Sequence, residues 1–184
     1  MNTIKQLFFM LGTTTLLFSC GQETKNEKTV NKKSDTLEIN TPTNATLENL
    51  STSLINALKE NHYSIIEDML PLKEDVENIV ADYEGTQKEK EEILAGADEN
   101  VKKISENTRI AFDDILKKGT EAGIIWTEVT FSNAEYATKK ENNIEIAVVT
   151  IIFEHKTAIH KIKIEECIKT KKGWLIFDKP KWQE

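Results

Sequence analysis

The stretch IEIAVVTIIFEHKTAIHKIKIEECI, residues 144–168, decides the fold. From Ile144 to Phe153 apolar residues occupy both alternating sets, the pattern of a central strand buried on its two faces. HKTA at 155–158 reads as a turn. From Ile159 to Ile168 the period is two: His160, Ile162, Ile164, Glu166 and Ile168 share one parity, which leaves Cys167 on the other. Two such runs joined by a short polar link form an antiparallel hairpin, and the remainder of the domain must be arranged around it.

Working outward, the strand before this hairpin contains Trp126, Val129 and Phe131, then Ala134 and Tyr136. The change of parity predicts a β-bulge near Ser132 and Asn133. ENN at 141–143 has turn chemistry, and Lys171, Lys172 and Gly173 close a last hairpin into a strand from Trp174 to Phe177. Upstream of Gly123 the period changes to about 3.6. Leu47, Leu50, Leu54 and Leu58 form one helical stripe, with Thr46 placed to cap it. Ile65, Ile66, Met69 and Leu70 form a short second face that Pro71 ends. Val76, Ile79, Val80 and Tyr83 mark a third helix, stopped at Gly85. Ile93, Ala97, Val101, Ile104, Thr108, Ala111 and Ile115 predict one long helix over 87–118, with Gly119 and Gly123 as stop signals. Helices followed by a meander make an α+β domain: N-terminal helices packed on a curved antiparallel four-stranded sheet, spanning residues 45–184.

The first 44 residues have a different character. In LLFSCGQETKNEK, residues 16–28, an apolar run stops at Cys20 and turns at once polar. The run is about a dozen residues, short of the roughly 20 that span a bilayer. With Lys5 ahead of it, it reads as a secretory signal over residues 1–19. Leu17, Phe18, Ser19 and Cys20 resemble the lipobox of bacterial lipoproteins, which implies acylation of Cys20 and a membrane anchor. Gly21 in place of Asp implies, by likeness to enterobacterial sorting, the outer membrane, with the face of the membrane left open. Several acyl chains hold firmly where one would not. Residues 20–44 then read as the lipidated cysteine and a disordered tether, since four acids, four lysines and almost no apolar residues over 21–44 offer nothing to bury.

Removal of residues 1–20 leaves 23 basic against 31 acidic side chains, a net charge of −8, which argues against nucleic acid as a partner. The deficit lies in residues 45–118, with 17 acids to 9 bases, whereas residues 119–184 carry 10 of each. With Cys20 acylated, Cys167 has no partner for an internal disulfide, so the core must supply the stability.

LINALKENHYSIIEDML at 54–70 resembles the opening helices of the nuclear-transport-factor-two-like fold shared with ketosteroid isomerase and SnoaL-type cyclases, and KKGWLIFDKPKW at 171–182 resembles its closing strand. The resemblance covers about residues 46–182 and implies a cone-like, cystatin-like superfold with an interior suited to a small apolar ligand. The catalytic Asp positions of ketosteroid isomerase match no stretch of this chain.

His160 and Glu166 are the polar residues on the apolar parity of their strand, and the nearby Trp126 and Tyr136 are candidates to line a pocket. His160 and Glu166 read in two ways: as ligand-orienting or acid/base groups, or as solvated residues at opposite rims of the sheet. Six residues of strand, about 20 Å, separate them, so they do not form one dyad. His155 flanks the turn with His160, but a zinc site needs a further ligand, and no metal or cofactor is expected. No HExxH, GxSxG, phosphate loop or paired carboxylates occur. The expected function is a membrane-anchored, non-enzymatic envelope binding module for a small apolar ligand or a protein partner. The alternative is a SnoaL- or ketosteroid-isomerase-like lyase or isomerase that uses a pocket His or Glu.

Overall fold

The computed structural model describes residues 44–183. The signal segment, Cys20 and the tether up to residue 43 lie outside the described residues. Asn44, read from the sequence as the last residue of the tether, belongs to the folded unit: it is buried, its carbonyl accepts the Trp174 N–H at 2.8 Å, and its Nδ2 donates to the Trp174 carbonyl at 3.0 Å.

Among the described residues five helices come first. α1 spans Leu47–Glu60, capped by the Thr46 hydroxyl accepting the Asn49 N–H at 3.0 Å and ended by Asn61 in the left-handed region (φ 50°). It buries Leu47, Leu50, Leu54 and Leu58, the stripe expected of it, together with Ser51, Ile55 and Ala57. α2 is a single turn, Ser64–Glu67, and α3 runs Lys73–Asp82. The helix expected over 87–118 is two: α4, Gln87–Ala95, and α5, Ala97–Glu121, divided at Gly96. Glycine is a weak helix former, and the stripe passes the break because Ile93 and Ala97 stay four residues apart. The middle of α5 is pinned through Tyr63, whose hydroxyl donates to the Ser105 carbonyl at 3.2 Å and whose ring meets Phe112 edge-on at 5.4 Å.

After a single 3₁₀ turn at Trp126–Glu128, the chain forms a curved, open antiparallel sheet: β1 Thr130–Glu141, β2 Ile144–His155, β3 Ala158–Thr170, β4 Gly173–Ile176 and β5 Lys181–Gln183. The order is β1-β2-β3-β4, and β5 pairs with the other end of β3 along the same edge as β4. The expected four-strand meander thus gains a fifth short strand, because Asp178 to Pro180 interrupt the last run and the chain resumes pairing at Lys181.

The bulge in β1 lies between Phe131 and Asn133, where the parity changed. A second register shift, between Ala147 and Val149 of β2, sets two residues of β3 against one of its partner. It alters the side of the sheet on which β3 residues fall. Val149 pairs with Ile164 and Ala147 with Cys167, so Cys167 shares a face with Ile162, Ile164 and His160. The expectation that Cys167 alternates away from His160, and that Glu166 continues the parity of Ile164, fails at this bulge.

β2 is central, but its faces differ. Val149, Ile151 and Phe153 are fully buried, while Val148, Thr150 and Ile152 are half-buried. Thr150 and Ile152 stand opposite Lys163 and Lys161 on this less buried face. On the helical side, Leu50, Leu54, Ile55, Leu58, Ile66 and Met69 meet Val149, Ile151, Phe153, Ile162 and Ile164, all at most 1% exposed. These side chains belong to one contiguous apolar core.

Two substitutions test this packing. Phe153→Ala is expected to lower unfolding stability by about 3–5 kcal/mol through the cavity it leaves. A Cβ at Gly119 would meet the Trp126 ring at 2.2 Å, so Gly119→Val should lose about 1–3 kcal/mol by overpacking, whereas Gly123→Ala, with nothing within 4 Å but φ +81°, tests backbone strain alone. Urea denaturation followed by tryptophan fluorescence measures all three; a Gly119→Val protein as stable as the parent would refute the close contact.

Candidate functional site

The polar and aromatic residues singled out in the sequence do not converge on one cavity. His160 pairs across the ladder with Phe153 and is half-buried. Its ring stacks on Phe153 with centroids 5.4 Å apart and lies 5.6 Å from Trp182 of β5. Phe153 also meets Trp126 at 5.8 Å and Trp182 at 6.0 Å. Trp126 and His160 therefore belong to one aromatic stack with Phe153 at its centre. Glu166 is buried at the β3 bulge, where its carbonyl accepts the N–H groups of Phe177 at 2.9 Å and Asp178 at 3.2 Å. Tyr136 lies on β1 and is 57% exposed.

The stack sets the electrostatics of His160. Burial against the rings, and then the neighbouring His155, hold its pKa below the ordinary 6.5. His155 is itself buried: its Nε2 accepts the Ile125 N–H at 3.3 Å and lies 3.5 Å from a Glu128 carboxylate oxygen, a contact that becomes an ion pair only when the ring is protonated. Burial first, and then the carboxylates of Glu166 and Asp178, push the Cys167 thiol far above its usual range, which disfavours the thiolate. Among the described residues no three His, Cys, Asp or Glu side chains form a metal-holding group, and no helix is long and apolar enough to cross a membrane.

Trp126, the member of the stack next to α5, also lines a surface groove. Trp126 is fixed by its Nε1 donating to the Leu116 carbonyl at 3.1 Å and by its ring lying on Gly119 of α5. Beside it a groove of about 560 Å³ opens between the ends of α1 and α5, lined by Leu58, Leu116, Ile125 and Trp126, with Lys59, Lys117 and Glu121 among the polar residues at its margin. Ile125 is 47% exposed there. The sequence reading marked Trp126 but neither Leu116 nor Ile125. The helix stop expected at Gly119 does not occur there: α5 continues to Glu121, and the glycine admits the indole. An unexplained glycine on a helical stripe was the signal available.

No family model, curated protein or solved structure matches this chain.

The lowered pKa of His160 predicts a pH dependence of stability. In the unfolded chain the ring titrates near 6.5 and in the folded protein at a lower pH. The stabilising preference for the neutral ring is complete above pH 6.5, fades as the unfolded chain takes up its proton below that, and levels off below the folded pKa. His160→Gln should therefore flatten the fall in urea midpoint between pH 7.5 and 5.5; an unchanged slope would show that the stack does not disfavour the charged ring.

Proposed function

We propose that this chain is a lipid-anchored protein of the cell envelope that binds a small apolar molecule and catalyses no reaction. In this reading acylated Cys20 holds the outer membrane, the polar segment after it is the spacer, and the folded unit presents its ligand site at the groove beside Trp126. The groove carries the reading. At about 560 Å³ it falls within the roughly 300–1,000 Å³ of small-molecule sites, and its apolar floor and sparse charged margin suit a ligand with one polar end. The contiguous apolar packing of the helices against the sheet supports the rim over the interior as the place of binding.

The architecture reads as a member of the cystatin-like, nuclear-transport-factor-two-like class in which side chains occupy the cone. Helices first, then a curved antiparallel sheet with bulges in two ladders, support this assignment. The non-catalytic reading is supported by the separate surroundings of the two candidate proton carriers: His160 sits in the aromatic stack and Glu166 at the bulge beside β4.

Two experiments test the two halves. Cells fed labelled palmitate should incorporate label into the chain, and Cys20→Ser should abolish it; label retained by the variant removes the anchor. Native mass spectrometry of the detergent-extracted full chain should detect a bound apolar molecule that Ile125→Asp loses, since a carboxylate at the groove floor is costly to desolvate. A bound molecule retained by Ile125→Asp, or none in either protein, rejects the groove as the site.

A further inference from the structure

β1 is the long outer strand of the sheet, and from Glu135 to Glu141 every residue is exposed, whichever face it occupies. Its inner edge is paired with β2 along the whole run. Among the described residues no backbone group outside β2 bonds to residues 130–141. The opposite edge of the sheet is different: β4 and β5 share it, and Asn44 clamps Trp174 there. Asn44, the first described residue, thus lies at the β4 edge.

Edge strands are usually blunted by short length, proline, bulges or lysines. β1 is 12 residues long and contains no proline, and its bulge is confined to the Phe131–Asn133 end. It does carry Lys139 and Lys140, but these are accompanied by Glu135 and Glu141.

The turn determines which backbone groups face outward. Asn142 and Asn143 have φ of 44° and 70°, the two-residue turn with both central residues left-handed. Such a turn closes on a hydrogen-bonded pair, here Glu141 and Ile144. The ladder alternates without a shift from there to Asn133, so Lys139, Ala137 and Glu135 direct their backbone groups to β2. The N–H and C=O groups of Lys140, Thr138, Tyr136 and Ala134 point away from it.

A two-fold antiparallel partner must bond to those outward groups, which leaves three central registers. Centred on Thr138, Glu135 would face Glu141 and repel it. Centred on Tyr136, Lys139 and Lys140 would face Asn133 and Ser132. Centred on Ala137, Glu135 faces Lys139 twice and the exposed Tyr136 faces Thr138 twice. Opposite charges in directly opposed positions stabilise a pair of strands and like charges destabilise it. Lys139 already lies 2.7 Å from Glu141 on its own strand, so it would bridge two carboxylates.

We infer that the outer edge of β1 is a self-association surface: two copies of this chain join their sheets through antiparallel β1 strands about an axis at Ala137. The surface is distinct from the groove at Trp126, and the inference does not depend on the function proposed for it.

The test uses the full chain carrying Ala137→Cys in intact cells treated with diamide. Residues facing each other in a non-hydrogen-bonded pair have Cα atoms about 4.5 Å apart, within the roughly 4.4–6.8 Å of disulfides. Ala137→Cys should yield a linked species of twice the chain mass, several-fold above both the unsubstituted chain and Ala134→Cys, whose copies would lie about 20 Å apart. Adding Glu135→Lys should reduce the yield several-fold, and adding Lys139→Glu to that variant should restore it. Equal linkage in Ala134→Cys, no excess over the unsubstituted chain, an adduct of any other mass, or failure of the charge swap to restore linkage overturns the proposal.

Discussion

The arrangement turns on the packing of Phe153. Its ring meets Trp126, His160 and Trp182, which come from the 3₁₀ turn after α5, from β3 and from β5. Aromatic pairs add about 0.5–1.5 kcal/mol each beyond the area they bury. Their larger effect is positional. With Phe153 in place, three segments far apart in sequence have one position relative to β2. Trp126 then locates the end of α5, because its indole reaches Leu116 and needs Gly119 bare. The groove is a consequence: the same indole closes the core on one side and leaves an apolar wall between α1 and α5 on the other.

Polar contacts set the β3–β4 end of the sheet. Asp75 is buried, with one carboxylate oxygen accepting the Leu72 N–H at 2.9 Å and the other 2.8 Å from Lys172. The start of α3 is thereby joined to the turn between β3 and β4. A buried carboxylate is costly when unpartnered, and here both oxygens are used. That hydrogen bond also raises the Lys172 pKa above its ordinary value. Asn44 performs a similar task for the start of the fold, and Gly173, at φ +124° with an added Cβ only 2.5 Å from the Asn44 carbonyl, has to remain glycine for that approach.

The two bulges show how far sequence pattern reaches. The one in β1 was legible because apolar residues there occupy a single parity, so an extra residue visibly displaces them. The one in β3 falls in Ile-Glu-Glu-Cys-Ile, residues 164–168, where either parity offers an apolar residue. An inserted residue leaves no mark in such a run, and Glu166 and Cys167 consequently exchanged their expected roles. The division of the long helix at Gly96 was hidden for a related reason, since the stripe keeps helical spacing across it.

The sequence by itself determined the α+β class, the hairpin of residues 144–168, the turns at 142–143 and near 172, the β1 bulge and the buried faces of the helices. These follow from periodicity and turn chemistry, which act over a few neighbouring residues. Only the tertiary structure decided that Trp126, Phe153, His160 and Trp182 form one stack, that Gly119 serves an indole, that Asp75 holds Lys172, and that a groove opens beside Trp126 between the ends of α1 and α5. Most of these join residues distant in the chain, and all depend on shape and complementarity that no local period records.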